Sequence, residues 1–212
     1  MSPIVSMNPD DPGQVKAAAE LHKCLLPHSP VSRLGYFFMK KFYYTKLVRA
    51  GLIRCDLYRE NGRYVALSVS TGHPFTFMEE GKKRYWTDLC FVLVVSVLQW
   101  PPRALILWSM ALRSRNRSHQ EDTGKIAEYL TLCVLPEYAS VKDSESGLTV
   151  SHAMLSKTTA YFKSRGFEEI HLVIEKENRL ALRFNERYGI VAKEAPYIPG
   201  HCVLASLPLD GP

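Results

Sequence analysis

The chain has 212 residues, 46% apolar and 23% charged, a balance that can bury one substantial core and excludes disorder as its main state. A formal charge of +6 suits an anionic ligand, but no recognition motif for nucleic acid accompanies it, and nucleic acid is not an expected partner. Cys24, Cys55, Cys90, Cys133 and Cys202 are scattered and never form CxxC, and Met1 to Pro12 lacks the pattern of a signal peptide, so neither a zinc site nor a disulfide framework is indicated and a cytoplasmic location is expected.

Val15 to Ala50 reads as helical. Ala17, Ala18, Leu21 and Leu25, then Phe37, Phe38, Phe42 and Leu47, recur at spacings of three and four, and Pro27 to Pro30 divides the stretch in two. Ile53 to Glu60 and Arg63 to Ser70 flank Asn61-Gly62, whose residues take positive φ at low cost, so this pair reads as an antiparallel hairpin. Phe75 to Thr123 is a helical insertion: an apolar run from Leu89 to Trp100, then Pro101-Pro102, an amphipathic segment from Ala104 to Leu112, and Arg113, Arg115 and Arg117. Each run is shorter than the roughly 20 residues that cross a bilayer. Two placements share this composition: a hairpin packed on the domain, or a peripheral membrane contact through residues 89–117, with Trp100 and Trp108 among the headgroups and the arginines on anionic lipid.

Beyond Thr123 the pattern turns α/β. Ile126 to Val134 reads as a strand, Val150 to Ser164 as a helix, and Glu169 to Ile174 as a strand. Asn178 to Tyr188 reads as a helix closed by Gly189, and Ile190 to Lys193 with Cys202 to Leu207 as a final strand pair. No HExxH, GxSxG or P-loop run is present to support a rival chemistry.

Taken in order, Ala127 to Tyr138, the helix ending Tyr161-Phe-Lys-Ser-Arg-Gly-Phe167, and Asn178-Arg-Leu-Ala-Leu-Arg-Phe-Asn-Glu-Arg-Tyr-Gly-Ile190 resemble the GNAT (N-acetyltransferase) superfamily. The resemblance spans about residues 125 to 209. It implies an α/β fold with a mixed, mostly antiparallel sheet flanked by helices and splayed at its centre, forming one domain over residues 1–212 with the insertion at 75–123. It further implies an N-acetyltransferase that uses acetyl-CoA as co-substrate, needs no metal, and acetylates an amine of a small molecule, an amino sugar among the candidates. Backbone groups of Leu132, Cys133 and Val134 would then pair with the pantetheine amides and polarise the thioester. The turn and helix start at Ser146, Gly147, Leu148, Thr149, Val150, Ser151 and His152 would hold the pyrophosphate, since helix N-termini favour anions. Asn178 and Asn185, on the last helix, complete the implied cofactor contacts.

Two departures qualify the resemblance, and one further position matches it. The family's Arg/Gln-x-x-Gly-x-Gly/Ala run falls on Ser146, Thr149 and Ser151, where only small size is kept, and the loop Ala139 to Leu148 is longer than the family's common run. The Tyr that often protonates the departing thiolate is replaced by Asn185, which cannot act as an acid; Tyr188 is the nearest phenol on that helix, with core packing as its other reading, and Tyr197 is a further candidate. Glu128 matches in register the glutamate that serves as base in the histone-acetylating branch, and an exposed strand-edge glutamate is the alternative. His73, His152 and His171 have no partner at triad spacing, so structural roles are expected of them. A degenerate phosphate loop and Asn185 also fit a catalytically weak or inactive module that binds coenzyme A or a protein partner.

Overall fold

The computed structural model describes residues 3–107, 124–187, 189–194 and 201–209. Strand β1 (Ile4–Ser6) opens the chain, pairing antiparallel with Leu57 and its neighbours. It is too short to register as a pattern in sequence, and Lys157 Nζ donates to the Ile4 carbonyl at 2.6 Å. Helix α1 (Pro12–Leu25) starts ahead of its apolar stripe because Asp11 caps it, accepting from the N–H of Gly13 and Gln14, while Pro12 supplies a preset φ at the first turn.

The proline-rich break becomes a short helix α2 (Pro30–Arg33), capped by Ser29. Gly35 then turns with φ +102° into α3 (Tyr36–Phe38), which continues as a π-helix, Met39–Leu47. The wider turn brings consecutive residues Phe42, Tyr43 and Tyr44 inward together, all nearly fully buried, which the 3.6-residue period of the sequence did not anticipate.

The hairpin forms as expected: β2 (Arg54–Glu60) and β3 (Arg63–Thr71) meet at Asn61, φ 49°, and Gly62, φ 82°. Alternate residues of β2 address two different layers. Arg54 and Tyr58 reach Tyr161 and Asp143, on and just before α7 (Val150–Lys163), while Cys55 lies beside Tyr43 and Tyr44 of the π-helix. The sheet is thus sandwiched between α1 with the π-helix on one face and α7 on the other.

The insertion is helical in its described part: α4 (Phe77–Arg84), α5 (Trp86–Gln99), and α6, described over 103–107. It packs tightly on the domain, since a Cβ on Gly81 would meet Leu47 Cδ2 at 2.4 Å and one on Gly35 would meet the Arg103 guanidinium carbon at 2.6 Å. Among the described residues, one side of α5 is covered. Leu89, Val92 and Ser96 are buried, whereas Trp86, Phe91, Val94 and Leu98 are exposed, as are Trp100 and, on α6, Leu105. No helix among the described residues is long and apolar enough to cross a membrane. Trp108, Arg113, Arg115 and Arg117 lie outside the described residues.

Strand β4 (Ile126–Val134) pairs antiparallel with β3 and parallel with β5 (Glu169–Glu175). After β5 come α8 (Arg179–Arg187), β6 (Val191–Lys193) and β7 (Cys202–Pro208), giving the sheet order β1-β2-β3-β4-β5-β7-β6. Every pairing except β4 with β5 is antiparallel. Gly189, φ 75°, closes α8, as its place past the helix end predicts.

Candidate active site

The parallel pairing of β4 with β5 covers only Ile126 to Tyr129 against Glu169 to Leu172. Beyond it β5 stays with β7 while β4 stays with β3, so the two strands part. The parting coincides with a bulge: Val69 pairs with Thr131 and Ser70 with Tyr129, leaving Leu130 as the extra residue. Bulges bend the strand that carries them, and here the bend opens the middle of the sheet. Leu135 N–H donates to the Val65 carbonyl at 2.9 Å, so Leu135 faces β3. By strand alternation Cys133 also faces β3, whereas the peptide groups of Leu132 and Val134 face the gap left by β5.

The connection from β4 to α7 folds into a small hairpin instead of an open loop. Lys142 and Thr149 form a bridge, Asp143 N–H donates to the Leu148 carbonyl at 2.7 Å, and Val150 N–H donates to the Val141 carbonyl at 3.1 Å. Asp143 is its hub. The buried carboxylate accepts from the Ser146 N–H at 2.7 Å, the Ser146 hydroxyl at 2.6 Å and the buried Tyr58 hydroxyl at 3.0 Å. Burial opposes its ionisation, but the hydrogen bonds from Ser146, Tyr58 and the Glu145 backbone outweigh that and hold the carboxyl below its ordinary range. Gly147 N–H donates to the Asp143 carbonyl at 2.9 Å and Leu148 N–H to the Ser146 hydroxyl at 3.3 Å.

These bonds leave fewer donors for an anion than the loop's length suggests. The N–H groups of Ser146, Gly147, Leu148 and Val150 all serve the hairpin, and the Thr149 hydroxyl pairs with His152 Nδ1 at 2.7 Å. The N-cap residue Thr149 makes no side-chain cap bond to the first turn of α7, where Ser151 lies. His152 also stacks on Phe184 of α8, with ring centroids 4.7 Å apart, tying the two helices that border the gap.

On the opposite face, register places Thr71, Glu128, His171 and Ser206 in one row across β3, β4, β5 and β7. Glu128 is half-buried and close enough to Tyr43 of the π-helix for its charge to add to the upward push that burial gives that phenol. His171 Nε2 and the Ser206 hydroxyl both bond Glu169 Oε2, each at 3.0 Å.

No family model and no curated protein matches the sequence. Among solved structures, the chain is similar to the PaiA N-acetyltransferase from Thermoplasma acidophilum in complex with coenzyme A. That match has a TM-score of 0.56 at 13% identity and covers 97% of each chain. It is also similar to a GNAT-family acetyltransferase from Streptococcus pneumoniae, at 0.52, 12% identity and 97% of each chain. A third is the ribosomal-protein-S18-alanine N-acetyltransferase from Escherichia coli, at 0.52, 12% identity, with 100% of this chain and 96% of that one. The chain has the GNAT fold.

Against that fold, the residues expected from the sequence separate into groups. Leu132 and Val134 present their backbones to the gap of the GNAT sheet; Cys133 does not, because alternation turns its peptide toward β3, and its side chain is buried in the core. Ser146, Gly147 and Leu148 sit at the exposed tip of the hairpin with their N–H groups engaged, and Val150 is fully buried. Thr149, Ser151 and His152 lie in and before the first turn of α7, beside the gap. Asn178 accepts from the Ala181 N–H and thereby caps α8. Asn185 is buried and donates to the Ala181 carbonyl at 2.7 Å. Tyr188 and Tyr197 lie outside the described residues. The Tyr58–Asp143 bond escaped the sequence reading because its partners are remote in the chain and neither belongs to a motif.

Proposed function

We propose that the protein is an acetyl-CoA-dependent N-acetyltransferase that transfers the acetyl group to an amine of a small molecule, an amino sugar being the class to try first. The observation that carries this is the parting of β4 from β5 at the Leu130 bulge, with the peptide groups of Leu132 and Val134 facing the gap. A pantetheine arm carries amides that can pair with such strand-edge groups, and donors fixed in a gap stabilise the oxyanion of a thioester under attack. Acetyl-CoA supplies the activated acyl group. The chain's own contribution is to hold the pantetheine along β4, to hold the pyrophosphate at the first turn of α7, and to take the acceptor's proton with Glu128. Tyr188 is the proposed acid toward the leaving thiol. The five cysteines outside any disulfide suit a cytoplasmic enzyme.

The experiment is a thermal shift with acetyl-CoA followed by a screen of amine acceptors with mass-spectrometric detection of product. A ligand at a hundred times its dissociation constant adds about 2.7 kcal/mol, an easily seen rise in Tm. No shift at millimolar acetyl-CoA removes the reading.

The exposed apolar side of α5 and α6 favours a second role for the insertion, as a peripheral contact with an anionic membrane. Tryptophans at both ends of α5 and the exposed Lys83 and Arg84 just before it fit an interfacial helix.

A further inference from the structure

Acetyl transfer to an ammonium group has a proton to dispose of. The nitrogen must lose two protons in becoming an amide; one ends on the coenzyme A thiol, and the other must reach water. Glu128 alone would be left protonated after each turnover. The row across the sheet places His171 directly beside it, one strand over and on the same face.

His171 is not an isolated histidine. Its Nε2 lies 3.0 Å from Glu169 Oε2, the oxygen that also accepts from Ser206 at 3.0 Å. An ionised carboxylate only accepts, so Nε2 carries the hydrogen, and in the neutral ring Nδ1 then carries the lone pair, the arrangement in which a carboxylate orients an imidazole for proton transfer. The hydrogen bonds from His171 and Ser206 hold Glu169 below the ordinary carboxylate range, with Lys193 of β6 adding to this. The His171 side chain is 11% exposed and the Glu169 side chain 44%, so the pair runs from the covered row to solvent.

We propose that the Glu169–His171 pair is the proton outlet of the acyl-transfer site, a role that rests on the acetyltransferase reading above. Glu128 takes the proton from the acceptor nitrogen, and His171 Nδ1 takes it from Glu128. The resulting imidazolium is held by the Glu169 carboxylate until it loses a proton to water. Among the described residues, Glu128, Glu169 and Lys193 are charged groups that bear on this step, and Tyr43 is a titratable group set against Glu128 from the π-helix. Glu169 is a positioning residue; it acts only through His171.

Two measurements test the outlet. The first needs no acceptor: nitrogen-15 NMR of the full chain at neutral pH reads the two ring nitrogens of His171 in wild type, Glu169→Gln and Glu128→Gln. Wild type should show the Nε2–H tautomer, Glu169→Gln should shift the ring toward the Nδ1–H form, and Glu128→Gln should move the Nδ1 resonance. An Nδ1 resonance unmoved in Glu128→Gln overturns the proposal, whether or not the acetyltransferase reading survives. The second uses acetyl-CoA with glucosamine as the acceptor probe and reads thiol release against pH. His171→Gln should lower kcat about tenfold or more while leaving the thermal shift with acetyl-CoA unchanged, and Glu169→Gln should move the acid limb of the profile. A structural strut would leave that limb in place. An unshifted limb in Glu169→Gln, or an unchanged kcat in His171→Gln, overturns the outlet, whereas loss of the thermal shift in wild type counts against acetyl-CoA binding itself.

Discussion

Replacing Tyr58 by Phe removes one oxygen from beneath the hairpin before α7 and asks whether that hairpin is held by its buried hub. The Tyr58 hydroxyl donates to Asp143 at 3.0 Å, and both residues are buried, so water cannot step in for the lost donor. A hydrogen bond to a charged group contributes about 1.5–3 kcal/mol, and Asp143 keeps its bonds to Ser146, which points to the lower half of that range. About 2 kcal/mol corresponds to a fall in Tm of roughly 4–8 °C in a chain of this size. The sign of the pH dependence follows from the depressed Asp143 carboxyl. Its contribution is fully present above the unfolded value of 3.8 and is lost as pH falls through the lower folded value. The gap between wild type and Tyr58→Phe should therefore be constant from neutral pH down to about that value and narrow below it. Urea unfolding at pH 7 and pH 5 measures the plateau, and titration with acetyl-CoA measures whether the loosened hairpin weakens cofactor binding. A change under 0.5 kcal/mol at pH 7, alongside a loss of 2 kcal/mol or more in Asp143→Ala, would refute the idea that the phenol anchors the loop.

His22 gives a second pH-dependent expectation. Burial lowers its pKa from 6.5 to about 4, and it bonds Tyr44 at 2.5 Å and Ser29 at 2.9 Å, linking α1 to the π-helix and to the cap of α2. With a folded value below the unfolded one, its stabilising share is complete above 6.5 and is lost as pH falls toward 4, to the extent of about 3 kcal/mol, and His22→Gln should not show that loss in chemical denaturation. For the insertion, the protein should co-sediment at low salt with vesicles containing phosphatidylserine but not with neutral ones, and replacing the exposed Val94 and Leu98 by Ser should weaken this without lowering Tm. Wild type remaining in the supernatant with anionic vesicles removes the membrane reading.

Much of the fold was written locally. Asn61-Gly62 fixed the β2–β3 hairpin, Gly189 fixed the end of α8, and β4 appeared with its observed bounds because an uninterrupted β-rich run can be read without its neighbours. The ordered strands and helices from Ile126 onward were enough to point to the GNAT fold. What the sequence could not decide were relations between distant residues. The π-helix depends on which side chains the sheet accepts, so Tyr43 and Tyr44 point inward together against the 3.6-residue rule. Glu128, His171 and Glu169 look like scattered titratable residues until strand register sets the first two side by side and a 3.0 Å bond joins the last two. The hairpin that engages Ser146, Gly147 and Leu148 was equally hidden, because a backbone N–H carries no mark in the sequence of where its hydrogen bond will go. Only when Tyr58, 85 positions earlier, is folded against Asp143 does that loop acquire its shape.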